Sequence, residues 1–219
     1  MKNAKRMTVN FIGIIGLILY FLSPAFAGEG INTGDSYDDE LWGHKKIKIS
    51  DAWDEGKGAG ITVAVIDTGI DYNHIDLCNS TDCNINKVNS GYGVNFLVEE
   101  GSSERNEVMD KNGHGTHIAG IISAIENSKG VVGLAPKAKI LALKAIADDG
   151  TGDIADIAEA ITYAADNEAD VIICSFGSVA TSADTTLKTA VEYAYDKGCV
   201  IVVPAGNDDE DSGYSTLAQ

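Results

Sequence analysis

Positive charge is what this chain most lacks. Sixteen Lys and Arg stand against 33 Asp and Glu, a formal net charge of −17 over 219 residues. That balance argues against nucleic acid as a partner. It suits an acidic, solvated surface and could help hold Ca2+. Long apolar runs are lacking too. The N-terminal stretch Phe11 to Leu22 has twelve residues, short of the roughly 20 that a membrane-spanning helix needs. No internal repeat, low-complexity segment, phosphate loop, dinucleotide-binding fingerprint or glycosidase-like carboxylate pair stands out. Cysteine is scarce, with four in all. Cys78 and Cys83 flank a polar Asn-Ser-Thr-Asp loop without the neighbouring ligands of a zinc site. Export would permit a small disulfide between them, the alternative being two free thiols. Cys174 and Cys199 lie in strand-like runs and read as buried free thiols.

What is present begins with an export signal. Lys2, Lys5 and Arg6 precede the apolar stretch, and Ala25-Phe-Ala27 follows it as a small-x-small cleavage site. Residues 1–27 therefore read as a signal peptide, with an uncleaved anchor as the alternative. Cleavage would leave a secreted protein, extracellular or periplasmic, of net charge near −20 and off the membrane. Residues 28–40, rich in Gly, Asp and Ser, read as an extended N-terminal arm. Residues 41–219 suffice for one α/β domain with a sizeable core.

Strand and helix patterns alternate along that domain. Ser50 to Glu55 reads as a short helix with Ser50 as N-cap. Strands are expected at 61–67, from Gly93 to Leu97, from Lys139 to Ile146, from Val171 to Cys174 and from Cys199 to Val203. Helices are expected from His114, with Ile118, Ile121, Ile122 and Ile125 on the buried side, and from Asp153 to Asn167, with Ile154, Ile157, Ala158 and Ile161 at helical spacing. A last helix, Thr185 to Lys197, stops at Gly198. Residues 78–92 read as a polar loop and 99–112 as a charged, exposed one. Such alternation implies a doubly wound, mostly parallel sheet with right-handed crossovers and helices on both faces.

The most informative residue is Asp67, at the end of Ile61-Thr-Val-Ala-Val-Ile-Asp67-Thr-Gly69. The run reads as a strand buried on both faces. An ionised carboxylate is costly to bury alone, and open α/β sheets place their chemistry at the carboxyl ends of strands. A partner is offered 47 residues later in Asn112-Gly-His114-Gly-Thr-His-Ile-Ala-Gly120. The functional reading is an orienting aspartate and a general-base histidine; the alternative is a structural ion pair.

The chain resembles the subtilisin-like serine peptidases (subtilases). Four motifs, in the family's order, carry the resemblance: Asp67-Thr-Gly-Ile-Asp-Tyr-Asn-His-Ile-Asp-Leu77, His114-Gly-Thr-His-Ile-Ala-Gly120, Ser175-Phe-Gly177 and Ala205-Gly-Asn207. It spans about residue 41 to 219, and Leu41-Trp-Gly-His-Lys-Lys-Ile…Ala52-Trp53 is similar to the opening of thermitase-like members. It implies a three-layer subtilisin-like fold and a secreted serine endopeptidase, monomeric, acting on polypeptides without an organic cofactor. Asp67 would hold the imidazole of His114 in the correct tautomer, and Asn207 would donate its side chain to the oxyanion hole. Ser175, Phe176 and Gly177 would form one wall of the specificity pocket, and Pro204, Ala205 and Gly206 the other. Phe176 reads equally as core. Gly150, Thr151 and Gly152 resemble the second substrate-binding edge, so that substrate joins as an added strand. His117 reads as a packed helix residue, His74 as structural and His44 as a surface residue.

The segment Ile125 to Pro136 resembles the family's calcium loop, the alternative being an ordinary loop after a helix. Candidate ligands are the side chains of Asp76 and Asn127, the carbonyls of Ile125, Lys129 and Val131, and the carboxylate of Asp35. One departure bears on activity. The family's serine sits in Gly-Thr-Ser-x-Ala, a motif that these 219 residues do not contain. Ser212 and Ser215 follow Asn207 too closely and lack the motif. The expectation is a C-terminally truncated fragment of a longer product, inactive alone. A non-catalytic pseudopeptidase that binds peptides is the main alternative, and a structural or surface-associated module is a third.

Overall fold

In the computed structural model, Thr62–Asp67 (β1) is the central strand of a five-stranded sheet. Residues 31–78, 82–85, 93–177 and 184–205 are described. The expected signal peptide, Gly206, Asn207, Ser212 and Ser215 lie outside them. In chain order the elements are α1 (Trp42–Lys46), α2 (Ile49–Trp53), β1, β2 (Gly93–Asn95), α3 (His114–Ser123), β3 (Lys139–Lys144), α4 (Ile154–Asp166), β4 (Val171–Cys174), α5 (Thr185–Lys197) and β5 (Val200–Val202). The strands lie in the order β2-β3-β1-β4-β5, and every pairing is parallel.

The two-residue period of a strand sorts the side chains into two cores. Ala64, Ile66, Leu141, Leu143, Ile172 and Cys174 face α4 and α5, in one cluster with Ile157, Ile161, Leu187 and Ala190. Val63, Val65, Ile140 and Ala142 point the other way, in one cluster with Ala119 of α3. The result is the expected α/β architecture, a parallel sheet with helices on both faces.

Helix ends follow local chemistry. Asp153 and Asp184 cap α4 and α5 by accepting from Ala155 N, and from Thr186 N and Leu187 N. Gly198 ends α5 in the left-handed conformation, as the sequence implied.

Several expectations are corrected. Ser50 is not an N-cap: α2 begins at Ile49, behind Lys48, and has no side-chain cap. The arm is not extended from residue 31 onward. Asp38 gathers Thr33 and Gly34 through hydrogen bonds, and a 3-10 turn spans Asp38–Glu40. His44 is buried, not superficial, because α1 folds it inward. The 99–112 segment buries Val108 completely, since Ile70 N donates to its carbonyl. On α3 the residues facing the sheet are Gly115, Ala119 and Ser123, spaced by four. Their small size lets the helix approach closely, so the isoleucines flank the contact. Ile121 is 42% exposed and borders a cleft of about 620 Å3 with His44, His74 and His117. Ile125 is buried, but beyond the helix end. Ile154 stays exposed at the start of α4, while Ile157, Ala158 and Ile161 are buried.

Candidate active site

Asp67 ends β1 on the same face as Val63 and Val65, beneath α3, and is 2% exposed. Two forces hold it. Its carbonyl accepts from Ala145 N and Ile146 N at 3.1 and 3.2 Å. Its Oδ1 accepts from Thr68 N at 2.7 Å. The ring of His114, the first residue of α3, comes to the same carboxylate, with Nδ1 2.8 Å from Oδ1 and 3.0 Å from Oδ2. A carboxylate only accepts, so Nδ1 carries a proton, and in the neutral ring Nε2 then keeps its lone pair. The His114 side chain is 48% exposed, against 2% for Asp67. The arrangement is a buried carboxylate orienting an exposed imidazole.

One residue that organises this pair was not evident in the sequence. Asp110 Oδ1 accepts from Thr68 Oγ1, Asn112 N and Gly113 N at 2.8–2.9 Å. Its Oδ2 accepts from Thr116 N at 2.9 Å and Thr116 Oγ1 at 2.6 Å. Thr68 Oγ1 in turn accepts from Gly115 N, and Thr116 Oγ1 from Asp71 N. Asn112 Oδ1 accepts from His114 N. The first-turn amides of α3 therefore find acceptors outside the helix, which has no N-cap side chain of its own. Burial opposes ionisation of Asp110, but the bonds from Thr116, Gly113 and Thr68 outweigh it and hold its carboxyl below the usual value. The available signal was an aspartate three residues before the helix cap, masked by a charged loop.

The expected substrate residues surround the same end of the sheet. Ser175, Phe176 and Gly177 follow β4, and Pro204 and Ala205 follow β5; the two strands pair at Ile173 and Val202. Phe176 is half-buried against the core cluster. Gly150, Thr151 and Gly152 are exposed beyond β3, in a turn closed by Ala147 N donating to Thr151 O at 2.7 Å. Cys174 lies behind Asp67, fully buried, and its thiol is pushed up to about 12 by burial first and by the Asp67 charge second. Burial likewise raises Cys199, and Cys78 and Cys83 form a disulfide.

The proposed calcium ligands come together from distant segments. Asp35 is 6% and Asp76 5% exposed. Asp35 Oδ1 accepts from Asn127 N and Lys129 N at 3.0 and 3.1 Å. Asp76 Oδ2 accepts from Val131 N at 3.1 Å, and Asn127 Nδ2 lies 3.3 Å from Asp76 Oδ1. The Asp76 carbonyl accepts from Ile125 N. Neither carboxylate has a basic partner among the described residues. Among the described residues, no group of three or more His, Cys, Asp or Glu is placed to hold a metal ion. Beside the loop, burial holds His44 below its usual value, a hydrogen bond with the Val132 backbone only partly offsetting this, and its Nε2 has no partner.

The sequence and the fold of this chain are similar to those of known peptidases. The sequence profile of the subtilase family (peptidase S8) matches residues 58–219. Thermitase of Thermoactinomyces vulgaris is 41% identical over 172 residues, 78% of this chain and 56% of thermitase. The thermophilic serine proteinase of Bacillus sp. (strain AK1) is 43% identical over 173 residues, 78% of this chain and 39% of that protein. In structure the chain is similar to fervidolysin of Fervidobacterium pennivorans, described as a keratinolytic enzyme related to subtilisin. The TM-score is 0.69 at 33% identity, covering 87% of this chain and 28% of fervidolysin. The chain thus spans little more than half the length of thermitase, and less of the other two.

Proposed function

The chain belongs to the subtilase family, and from that premise we propose that it carries the acid–base half of a secreted serine endopeptidase. His114 Nε2 takes the proton of a serine hydroxyl as that oxygen attacks the scissile carbonyl. It then returns the proton to the leaving amine. Asp67 fixes the tautomer and stabilises the imidazolium as it forms. Asn207 donates to the oxyanion. The extended substrate pairs with the backbone at 150–152 and 175–177, and its P1 side chain enters between Ser175–Gly177 and Pro204–Gly206. The carrying observation is the 2.8 Å contact of His114 Nδ1 with a buried Asp67 at the carboxyl end of a parallel sheet.

The Gly-Thr-Ser-x-Ala serine is not among these 219 residues, so the proposed reaction needs it from outside them, and these residues alone do not cleave peptides. The test uses a form that includes that serine. It should hydrolyse a peptide and be labelled by a fluorophosphonate, and His114→Ala should lower both on the order of 10³-fold or more. Undiminished labelling of the variant would remove His114 from the role. A second reading is a pseudopeptidase that binds peptides. A natural product ending without the serine, with micromolar-range peptide binding and no hydrolysis, would select it.

Two accompanying roles belong to the same proposal. The buried carboxylates of Asp35 and Asp76, together with Asn127, have the hard-oxygen chemistry that calcium requires. Ca2+ would be held by them and by the carbonyls of Ile125, Lys129 and Val131, and it would stabilise the fold rather than take part in the reaction. The protein works outside the cytoplasm as a monomer. Among the described residues, no helix is long and apolar enough to cross a membrane.

A further inference from the structure

Lys144 is an ammonium where an apolar residue would be expected. It ends β3 on the α3 face of the sheet, opposite Asp67 in register, and is 7% exposed. Lysines are seldom buried so deeply unless paired. Its Nζ donates to the carbonyl of Thr68, the residue after Asp67, and to Asp148 Oδ1 at 2.7 Å. Asp148 is gripped a second time, since its carbonyl accepts from Asn112 Nδ2 at 2.8 Å. The same Asn112 accepts from His114 N through Oδ1. Two residues later comes the Gly150–Gly152 turn. One lysine and one asparagine thus connect the backbone beside Asp67 and the backbone of His114 to the root of a single exposed turn.

An ion pair between a buried lysine and an exposed aspartate is weak grounds for stability. What it supplies here is direction. Asp148 can satisfy Lys144 and Asn112 together only if the turn leaves β3 at one angle. We propose that Lys144 is a positioning residue: through Asp148, in concert with Asn112, it sets the Gly150–Gly152 edge at a fixed height relative to the Asp67–His114 pair. That the edge receives substrate rests on the peptidase reading; the clamp itself does not. The clamp makes two properties separable. Replacing the lysine by an apolar isostere should loosen the edge without loosening the sheet, and it should weaken peptides long enough to lie along the edge.

The test uses the full 219-residue chain and Lys144→Met, Lys144→Arg and Asp148→Ala. The first readout is amide hydrogen exchange. Ala147 N and Gly150 N should exchange about tenfold faster in Lys144→Met, as expected when a charged hydrogen bond is lost. The β1–β3 amides should hold their rate, and Lys144→Arg should restore most of the protection. Asp148→Ala removes the same contact from an exposed position and should reproduce the effect even if the Met variant fails to fold. Unchanged protection of the turn in Asp148→Ala, or loss spread evenly over the sheet, overturns the proposal. The second readout is binding of a labelled heptapeptide and of a dipeptide. The heptapeptide should weaken about tenfold in Lys144→Met while the dipeptide is unmoved. Wild-type chain that binds neither, with the exchange pattern as expected, would sink the substrate-edge reading and leave the clamp standing.

Discussion

Gly115 and Gly69 approach so closely that a Cβ built on Gly115 would lie 2.2 Å from the Gly69 carbonyl oxygen and 3.1 Å from the Asp67 Cβ. Backbone stands on one side of this contact, so nothing there can rotate away. Gly115→Ala should push α3 off β1, costing about 1–3 kcal/mol as overpacking does, and should part His114 from Asp67. A thermal midpoint and the low-field signal of the His114 Nδ1 proton would report both effects. A variant that keeps both would show that the contact relaxes without consequence.

Acid should destabilise the fold through two identified groups. Burial holds His44 below its ordinary 6.5. Asp110 lies below its ordinary 3.8, its hydrogen bonds outweighing burial. In both cases the unfolded chain takes up the proton at higher pH than the folded one, so it binds more protons across the window between the two values, and acid favours unfolding. The His44 contribution is whole above about 6.5 and shrinks as pH falls below it; that of Asp110 shrinks below about 3.8. Melting curves from about pH 7 down to about pH 5 should show a falling midpoint, and His44→Leu should flatten the fall. An unaltered slope in the variant would clear His44.

Calcium removal should act on the same region. EDTA at matched ionic strength should lower the melting midpoint, and Asp35→Asn or Asp76→Asn should abolish the difference between calcium and EDTA. Equal midpoints in wild type with and without calcium would leave residues 125–131 an ordinary loop.

The four cysteines should sort into two classes. Cys174 is fully buried with its thiol near 12, and Cys199 is buried and raised as well. The thiolate is the reactive form, so neither should be alkylated at neutral pH until the chain unfolds. Cys78 and Cys83 should map as one linked peptide without reduction. Native-state alkylation of Cys174 would mean that the sheet opens behind Asp67.

Much of this was legible in sequence because it is periodic or local. β4 and α5 begin and end where apolar spacing and Gly198 placed them. Asp67 and His114 were legible because a charge at the end of an apolar strand needs a partner. What escaped was neither periodic nor local. Asp110 reads as one more acidic residue in a charged loop until Thr68, 42 positions away, closes on it. His44 reads as superficial until α1 folds it against the backbone at Val132. Ile121 fits the helical period, yet the helix packs through its small residues instead. Lys144 fits the strand pattern only as an error, and its partners are turns rather than strands.

The order of the strands fixes when the Asp67–His114 contact can exist. β1 is central, yet both of its neighbours come later in the chain, β3 from Lys139 and β4 from Val171. A polypeptide emerging from its N-terminus has Asp67 and His114 long before it has the walls that press them together, and such long-range pairings are slow to form. The contact between them therefore waits on β3 and β4 closing around β1. A chain kept extended carries Asp67 and His114 without the contact between them.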